Sequence, residues 1–148
     1  MIPNAIKVGV PSEAVFPRGA MVLGVEPETD FDLRGKSDDI QKRDKDTGLR
    51  MWVVTVVDME EPDEARFRRT AEMKVKIAAK HRPVPPDSRV PGYPPLVEFE
   101  GLTLTPWLDQ QKCTGPRDGR PHRCNARVAY SVTASGMREF SGAVSTPA

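Results

Sequence analysis

The sequence predicts an all-β domain, a small antiparallel barrel or sandwich of five to six strands, with an OB-like barrel as the leading candidate. Three observations carry this. Apolar residues alternate with polar ones at a period of two in several stretches, whereas helical periodicity is nearly absent. Five stretches read as strands, separated by clearly punctuated turns and a proline-rich loop. The residues Leu96–Trp107 read as one long strand whose apolar parity slips at a glycine, the mark of a strand bent round a barrel.

Each element has its own warrant. In Ala20–Val25 (AMVLGV), Met21, Leu23 and Val25 share one face. Leu49–Val57 (LRMWVVTVV) is rich in Val, Thr and Trp, residues suited to a pleated surface. Its two faces, Met51, Val53, Thr55 and Val57 against Trp52, Val54 and Val56, are both apolar, which predicts a central strand covered on both sides. Trp52 is therefore assigned to the core, with a stacking platform on an exposed face as the other reading. Ala71–Ala79 is the cleanest alternation, with Met73, Val75, Ile77 and Ala79 inward and Glu72, Lys74, Lys76 and Ala78 outward. Val97 and Phe99 alternate on one parity and Leu102 and Leu104 on the other, so Gly101 is expected to form a β-bulge. Arg127–Ala134 closes the series with Val128, Tyr130 and Val132 on one side.

Between the strands, Lys45–Gly48 (KDTG) reads as a turn. Glu60–Arg69 could hold one helical turn with Pro62 at its first position. Arg82–Pro95 carries six prolines in fourteen residues and must be extended. We expect one domain over residues 1–140 and a flexible tail over 141–148.

The composition bounds function. The longest apolar run falls far short of the roughly 18–20 residues of a membrane helix. No basic start followed by an apolar stretch marks a secretory signal, so no membrane contact and a cytoplasmic location are expected. The net charge of +1 conceals a polarity: residues 26–64 hold 13 acidic and 6 basic side chains, and residues 65–138 hold 14 basic and 6 acidic. Either one half presents a basic binding face, or the halves neutralise each other within the fold.

No catalytic constellation is legible. There is no nucleophile elbow, phosphate loop or paired-carboxylate cleft, and two histidines leave few carriers for acid–base work. A non-enzymatic protein without cofactors is expected. Asp44, Asp46 and Gly48 do not match a calcium loop, because glycine falls at the fifth position and Thr55 at the twelfth. Cys113, His122 and Cys124 form C-x8-H-x-C without the compact cysteine pair of common zinc modules. Free thiols, a bridge across the hairpin and a metal site all remain open for them, and no metal ligand is assigned.

Residue types favour nucleic acid. Arg66, Arg68, Arg69, Lys74, Lys76, Lys80 and Arg82 gather around the third strand, and Arg117, Arg120, Arg123 and Arg127 on the cysteine-flanked hairpin. Trp107 follows Pro106 at a strand end and Tyr93 lies in the proline loop, both placed for exposure. Basic clusters beside aromatic platforms suit single-stranded DNA. The predicted contacts are Arg68, Arg69, Lys74, Lys76, Lys80, Trp107, Arg117, Arg120, Arg123 and Arg127. The competing reading pairs Glu98 and Glu100 with Lys74 and Lys76 across the sheet, leaving an ordinary solvated face.

The run DKDTGLRMWVVTVVD (44–58), with KVKIAA, PLVEFEGLTLTPW and RVAYSVTASGM at their intervals, resembles the plasmid replication, integration and excision activator proteins of actinobacterial integrative conjugative elements. The likeness spans roughly Phe16 to Met137, and VEFEGLTLTP is its most specific string. It implies a small element-encoded factor that promotes replication, excision and integration of mobile DNA. With the basic clusters beside it, the expected partners are DNA, single-stranded more than double-stranded, or replication or recombination proteins. It brings no catalytic residues. A protein–protein adaptor without nucleic-acid affinity is the alternative.

Overall fold

The computed structural model describes residues 6–59, 72–111, 113, 119, 121 and 123–142. Its strands are β1 (Val8–Gly9), β2 (Ala20–Pro27), β3 (Met51–Asp58), β4 (Glu72–Ala78), β5 (Leu96–Glu100), β6 (Thr103–Asp109), β7 (Arg127–Ala134) and β8 (Gly136–Glu139). A four-residue helix α1 (Ser12–Val15) and a 3-10 turn (Phe31–Leu33) complete the described elements. All eight strands form one sheet in the order β1-β6-β7-β4-β3-β2-β5-β8.

The fold is all-β, but the expectation of five to six purely antiparallel strands needs two corrections. β4 and β7 run parallel, with Val75 opposite Val132 and Ile77 opposite Ala134. The strand count is eight because two long strands break at corners and a short edge strand, β1, was not foreseen. Only Gly101 and Leu102 separate β5 from β6, and only Ser135 separates β7 from β8. Gly101 is therefore not a bulge within one ladder. β5 pairs with β2 and β8, whereas β6 pairs with β7 and β1, near the other end of the strand order. Two consecutive segments can lie near opposite ends of a sheet only if the sheet curls until those ends approach. With each bent pair counted as one ribbon, the neighbours run β2, β3, β4, β7/β8, β6/β5 and back to β2. That five-membered ring is the connectivity of an OB-like barrel, half closed, with β1 and β8 as its edges.

The core fills the concave side. Val54 and Val56 of β3, Val75 and Ile77 of β4, and Val97 and Phe99 of β5 are buried, each at the predicted alternation. Trp52 lies at the margin of this cluster, and its Nε1–H donates to the Ala79 carbonyl at 3.0 Å, so the core assignment is the correct one. In β2 the expected face is wrong. Val22 pairs with Val56 and Gly24 with Thr55, which leaves Leu23 as an extra residue. The bulge switches parity, so Ala20, Val22 and Val25 are buried while Leu23 is exposed.

α1 packs beside β5, against the core. Phe16, immediately after it, is 1% exposed and packs on Phe99 with ring centroids 5.6 Å apart. The Phe99 N–H donates to the buried Ser12 hydroxyl at 3.0 Å. Ser12→Ala orphans that donor and should cost about 1–2 kcal/mol in denaturant unfolding. An unchanged midpoint would show that water satisfies the donor.

The loops follow their composition. The Asp44 carboxylate accepts from the Thr47 hydroxyl at 2.6 Å and from its N–H at 3.1 Å, while Gly48 adopts φ +70° to close the turn. The Thr47 hydroxyl bond is the main reason the Asp44 carboxyl sits below its ordinary value of 3.8. A depressed carboxyl supports the turn at neutral pH and loses that support as acid protonates it. The proline-rich stretch is tied to β2 at both ends: the Arg82 guanidinium donates to the Val25 carbonyl, and Val22 N–H donates to the Pro95 carbonyl at 3.0 Å. Glu60–Arg69, where a helical turn was expected, lies outside the described residues. So does most of the expected tail, although Ser141 is anchored by donating to Glu98 at 3.1 Å.

Candidate nucleic-acid interface

Strand registers define the outer, convex face of the sheet. Thr103 of β6 stands opposite Thr133 of β7, which stands beside Lys76 of β4, opposite Val53 of β3. One step along, Thr105, Ser131, Lys74 and Thr55 share the same face. One step further, Trp107 stands opposite Ala129, with Asp109 and Arg127 beyond it. The result is a platform of small hydroxyl residues with an indole at one end and two lysines on its flank. Trp107 is 46% exposed, enough to offer a ring face to a base.

The predicted contacts divide into three groups. Lys74, Trp107 and Arg127 share this face with Lys76. Lys80, just past β4, and Arg123, in the β6–β7 connection, are exposed. Arg68, Arg69, Arg117 and Arg120 lie outside the described residues.

The predicted charges are less available than expected. Lys76 Nζ lies 2.8 Å from Glu28 Oε1, and Lys42 Nζ approaches the same oxygen at 3.8 Å. Glu28 is only 16% exposed at its side chain, so this ion pair is partly desolvated. Arg127 Nε sits 3.5 Å from Asp109. Arg82 is held by the Val25 carbonyl. The acidic segment thus neutralises part of the basic one at Glu28. The competing pairing of Glu98 and Glu100 with Lys74 and Lys76 does not form, because β3 and β2 stand between β4 and β5. Both glutamates instead meet Arg138 of β8, at 2.8 and 3.8 Å.

Two features escaped sequence reasoning. Phe31, in the β2–β3 connection, is 72% exposed with the Arg34 guanidinium 4.6 Å over its ring, a cation–π pair. The only sequence cue was FDLR, and nothing in it foretold exposure. On the opposite face of the β6–β7 hairpin, Leu108, Val128 and Tyr130 are 55–61% exposed. They continue the inward parity of Val132 and Ala134, but the hairpin outruns the core that would cover them.

Cys113 is half-buried and Cys124 exposed, both as thiols, while His122 lies outside the described residues. Among the described residues no cluster of three His, Cys, Asp or Glu could hold a metal, and no helix is long and apolar enough to cross a membrane. No protein-family model, curated protein or solved structure matches the chain.

Proposed function

We propose that the protein is a non-enzymatic accessory factor in the replication, excision and integration of a mobile DNA element, working in the cytoplasm and binding single-stranded DNA weakly. The observation that carries the DNA reading is the shared face: Trp107 lies on the same side of β6, β7 and β4 as Lys74, across a platform of Thr103, Thr105, Ser131 and Thr133. An aromatic stacks on any base, hydroxyls suit sugar and phosphate oxygens, and lysines track the backbone. OB-like barrels use outer-face strands and adjoining loops for such ligands. The cellular role rests on the resemblance of VEFEGLTLTP and its flanking strands to the excision and integration activators.

Fluorescence anisotropy with single- and double-stranded oligonucleotides, at low and moderate salt, tests this. Binding should favour the single strand and weaken linearly in log salt. Trp107→Ala should weaken it about tenfold or more, from a stacking contribution of roughly 1–3 kcal/mol, while Trp107→Phe keeps most of the affinity. No binding at any salt would sink the reading.

That outcome would favour the second reading, an adaptor between replication or recombination proteins. Its specific support is the exposed apolar side of the hairpin, where Leu108, Val128 and Tyr130 adjoin one another.

A further inference from the structure

β6 is partnered along its whole length by β7, but on its other side β1 covers only Thr103 and Leu104. The remaining edge, Thr105–Asp109, has no neighbouring strand among the described residues. The direction of its main-chain groups follows from one bond: Val10 N–H donates to the Leu102 carbonyl at 2.9 Å. Groups alternate along an antiparallel strand, so Leu102, Leu104, Pro106 and Leu108 turn toward the open side, and Thr103, Thr105, Trp107 and Asp109 toward β7. Pro106 is accordingly tolerated inside a strand because the N–H it lacks would point away from β7. Leu108 leaves both an N–H and a carbonyl on that edge without a partner among the described residues.

Exposed edges are commonly blunted by charge. This one is not. Thr105, Pro106, Trp107 and Leu108 are uncharged, and Asp109 is matched by Arg127 at 3.5 Å. Beside the edge lies the exposed apolar surface of Leu108, Val128 and Tyr130, with Val8 of β1 next to it at 46% exposure.

We propose that two copies of the chain associate about a two-fold axis by pairing their β6 edges antiparallel, with Leu108 opposite the partner's Leu108. The proline selects this register. Centring the pair on Pro106 sets proline against proline, with no donor on either side. Centring it on Trp107 places Pro106 opposite Leu108 and leaves the Leu108 carbonyl without a donor. Centring it on Leu108 lets the two leucines exchange both bonds, while the Pro106 carbonyl receives an N–H from the partner's Gln110. The donor that proline lacks then faces the Gln110 carbonyl, which already accepts the Cys113 N–H at 2.9 Å. No edge group is left worse than in the single chain. The apolar strips of the two hairpins adjoin, removing from water surface that a single copy exposes, and the outer faces bearing Trp107 become continuous. The association holds whether or not that face binds DNA.

Sedimentation equilibrium of the full chain over a wide concentration range provides the test. The unaltered chain should show a concentration-dependent dimer. Leu108→Lys and Leu108→Glu should each be monomeric, because like charges meet on the axis, and an equimolar mixture of the two should dimerise again. Leu108→Pro should also be monomeric with an unchanged circular dichroism spectrum, since the lost N–H faces away from β7. A chain that stays monomeric at every attainable concentration, or charge variants that still dimerise, would overturn the proposal. A Lys/Glu mixture that remains monomeric would overturn the Leu108 register.

Discussion

Gly101→Ala is expected to lower unfolding free energy by about 2–4 kcal/mol, a large effect for adding one methyl group. Gly101 holds φ at +58°, and an L-residue held there costs roughly 1–2 kcal/mol. The added Cβ would also stand 2.5 Å from the Ser135 hydroxyl oxygen and 3.1 Å from the Ser135 Cβ. Ser135 is exposed, but moving it away from Gly101 gives up bonds that hold the corner. Its hydroxyl donates to the Glu100 carbonyl at 2.9 Å and its N–H donates to the same oxygen at 2.8 Å. Displacing it strains the two corners at once, β5 to β6 and β7 to β8, and these corners are what curl the sheet. Ser135→Gly in the same chain removes the collision but not the backbone strain, so it should return part of the loss. The two substitutions are then non-additive, as residues in contact generally are. Urea unfolding of the four proteins in this cycle measures it. A loss below about 0.5 kcal/mol, the range of an ordinary surface change, would mean that the corner relaxes freely.

The same corner shows which parts of the fold could be read in advance. A parity slip between Phe99 and Leu102 told that the chain bends, because side-chain alternation is a local property of the strand. Whether the bend is a bulge within one ladder or a break between two depends on which strands pair on either side, and that is settled by distant residues. β4 was legible in full, since its alternation continues uninterrupted over the core. In β3 the inner face of Val54 and Val56 was read rightly, but the other face, expected to be covered as well, forms the outer surface with Val53 and Thr55 half-buried. β2 was misread at Leu23 because a bulge is defined by its partner strand: six residues of AMVLGV alternate equally well on either parity, and only Val56 and Thr55 decide. In β7 the parity was right and the burial was not. Val128 and Tyr130 face the same way as Val132, but periodicity tells the side and never what stands over it.

The candidate site divides along the same line. Trp107 and Lys74 could be put on outer faces from their own strands. That β4 runs parallel beside β7, bringing the two faces together, could not. The engagement of Lys76 was equally hidden, because its partner Glu28 arrives from the β2–β3 connection, 48 positions away. Charge asymmetry along the chain was therefore a true signal with two outcomes side by side: neutralisation at Lys76, and an exposed cation at Lys74.

Those two lysines, adjacent on one face of one strand, should respond oppositely to the same substitution. Lys76→Glu replaces an ion pair of 2.8 Å by two carboxylates at the same distance scale. Glu28 cannot escape into water readily, with a side chain 16% exposed and an Oε2 that is buried without a hydrogen-bond partner. Lys42, at 3.8 Å, offers only partial relief. Breaking a fully buried pair costs about 3–5 kcal/mol; since Lys76 is 35% exposed, about 2–3 kcal/mol is the expected loss. Glu28→Gln in the Lys76→Glu chain should recover part of it by removing the repulsion. Lys74→Glu meets no such neighbour, so its unfolding midpoint should stay within the scatter of surface substitutions. Its effect belongs to binding: weaker affinity for single-stranded DNA of any sequence, with a salt slope reduced by about one. Thermal unfolding and anisotropy on both variants separate the roles. Equal destabilisation would mean that Glu28 does not hold Lys76 in solution, and unchanged DNA affinity in Lys74→Glu would remove the lysine flank from the proposed interface.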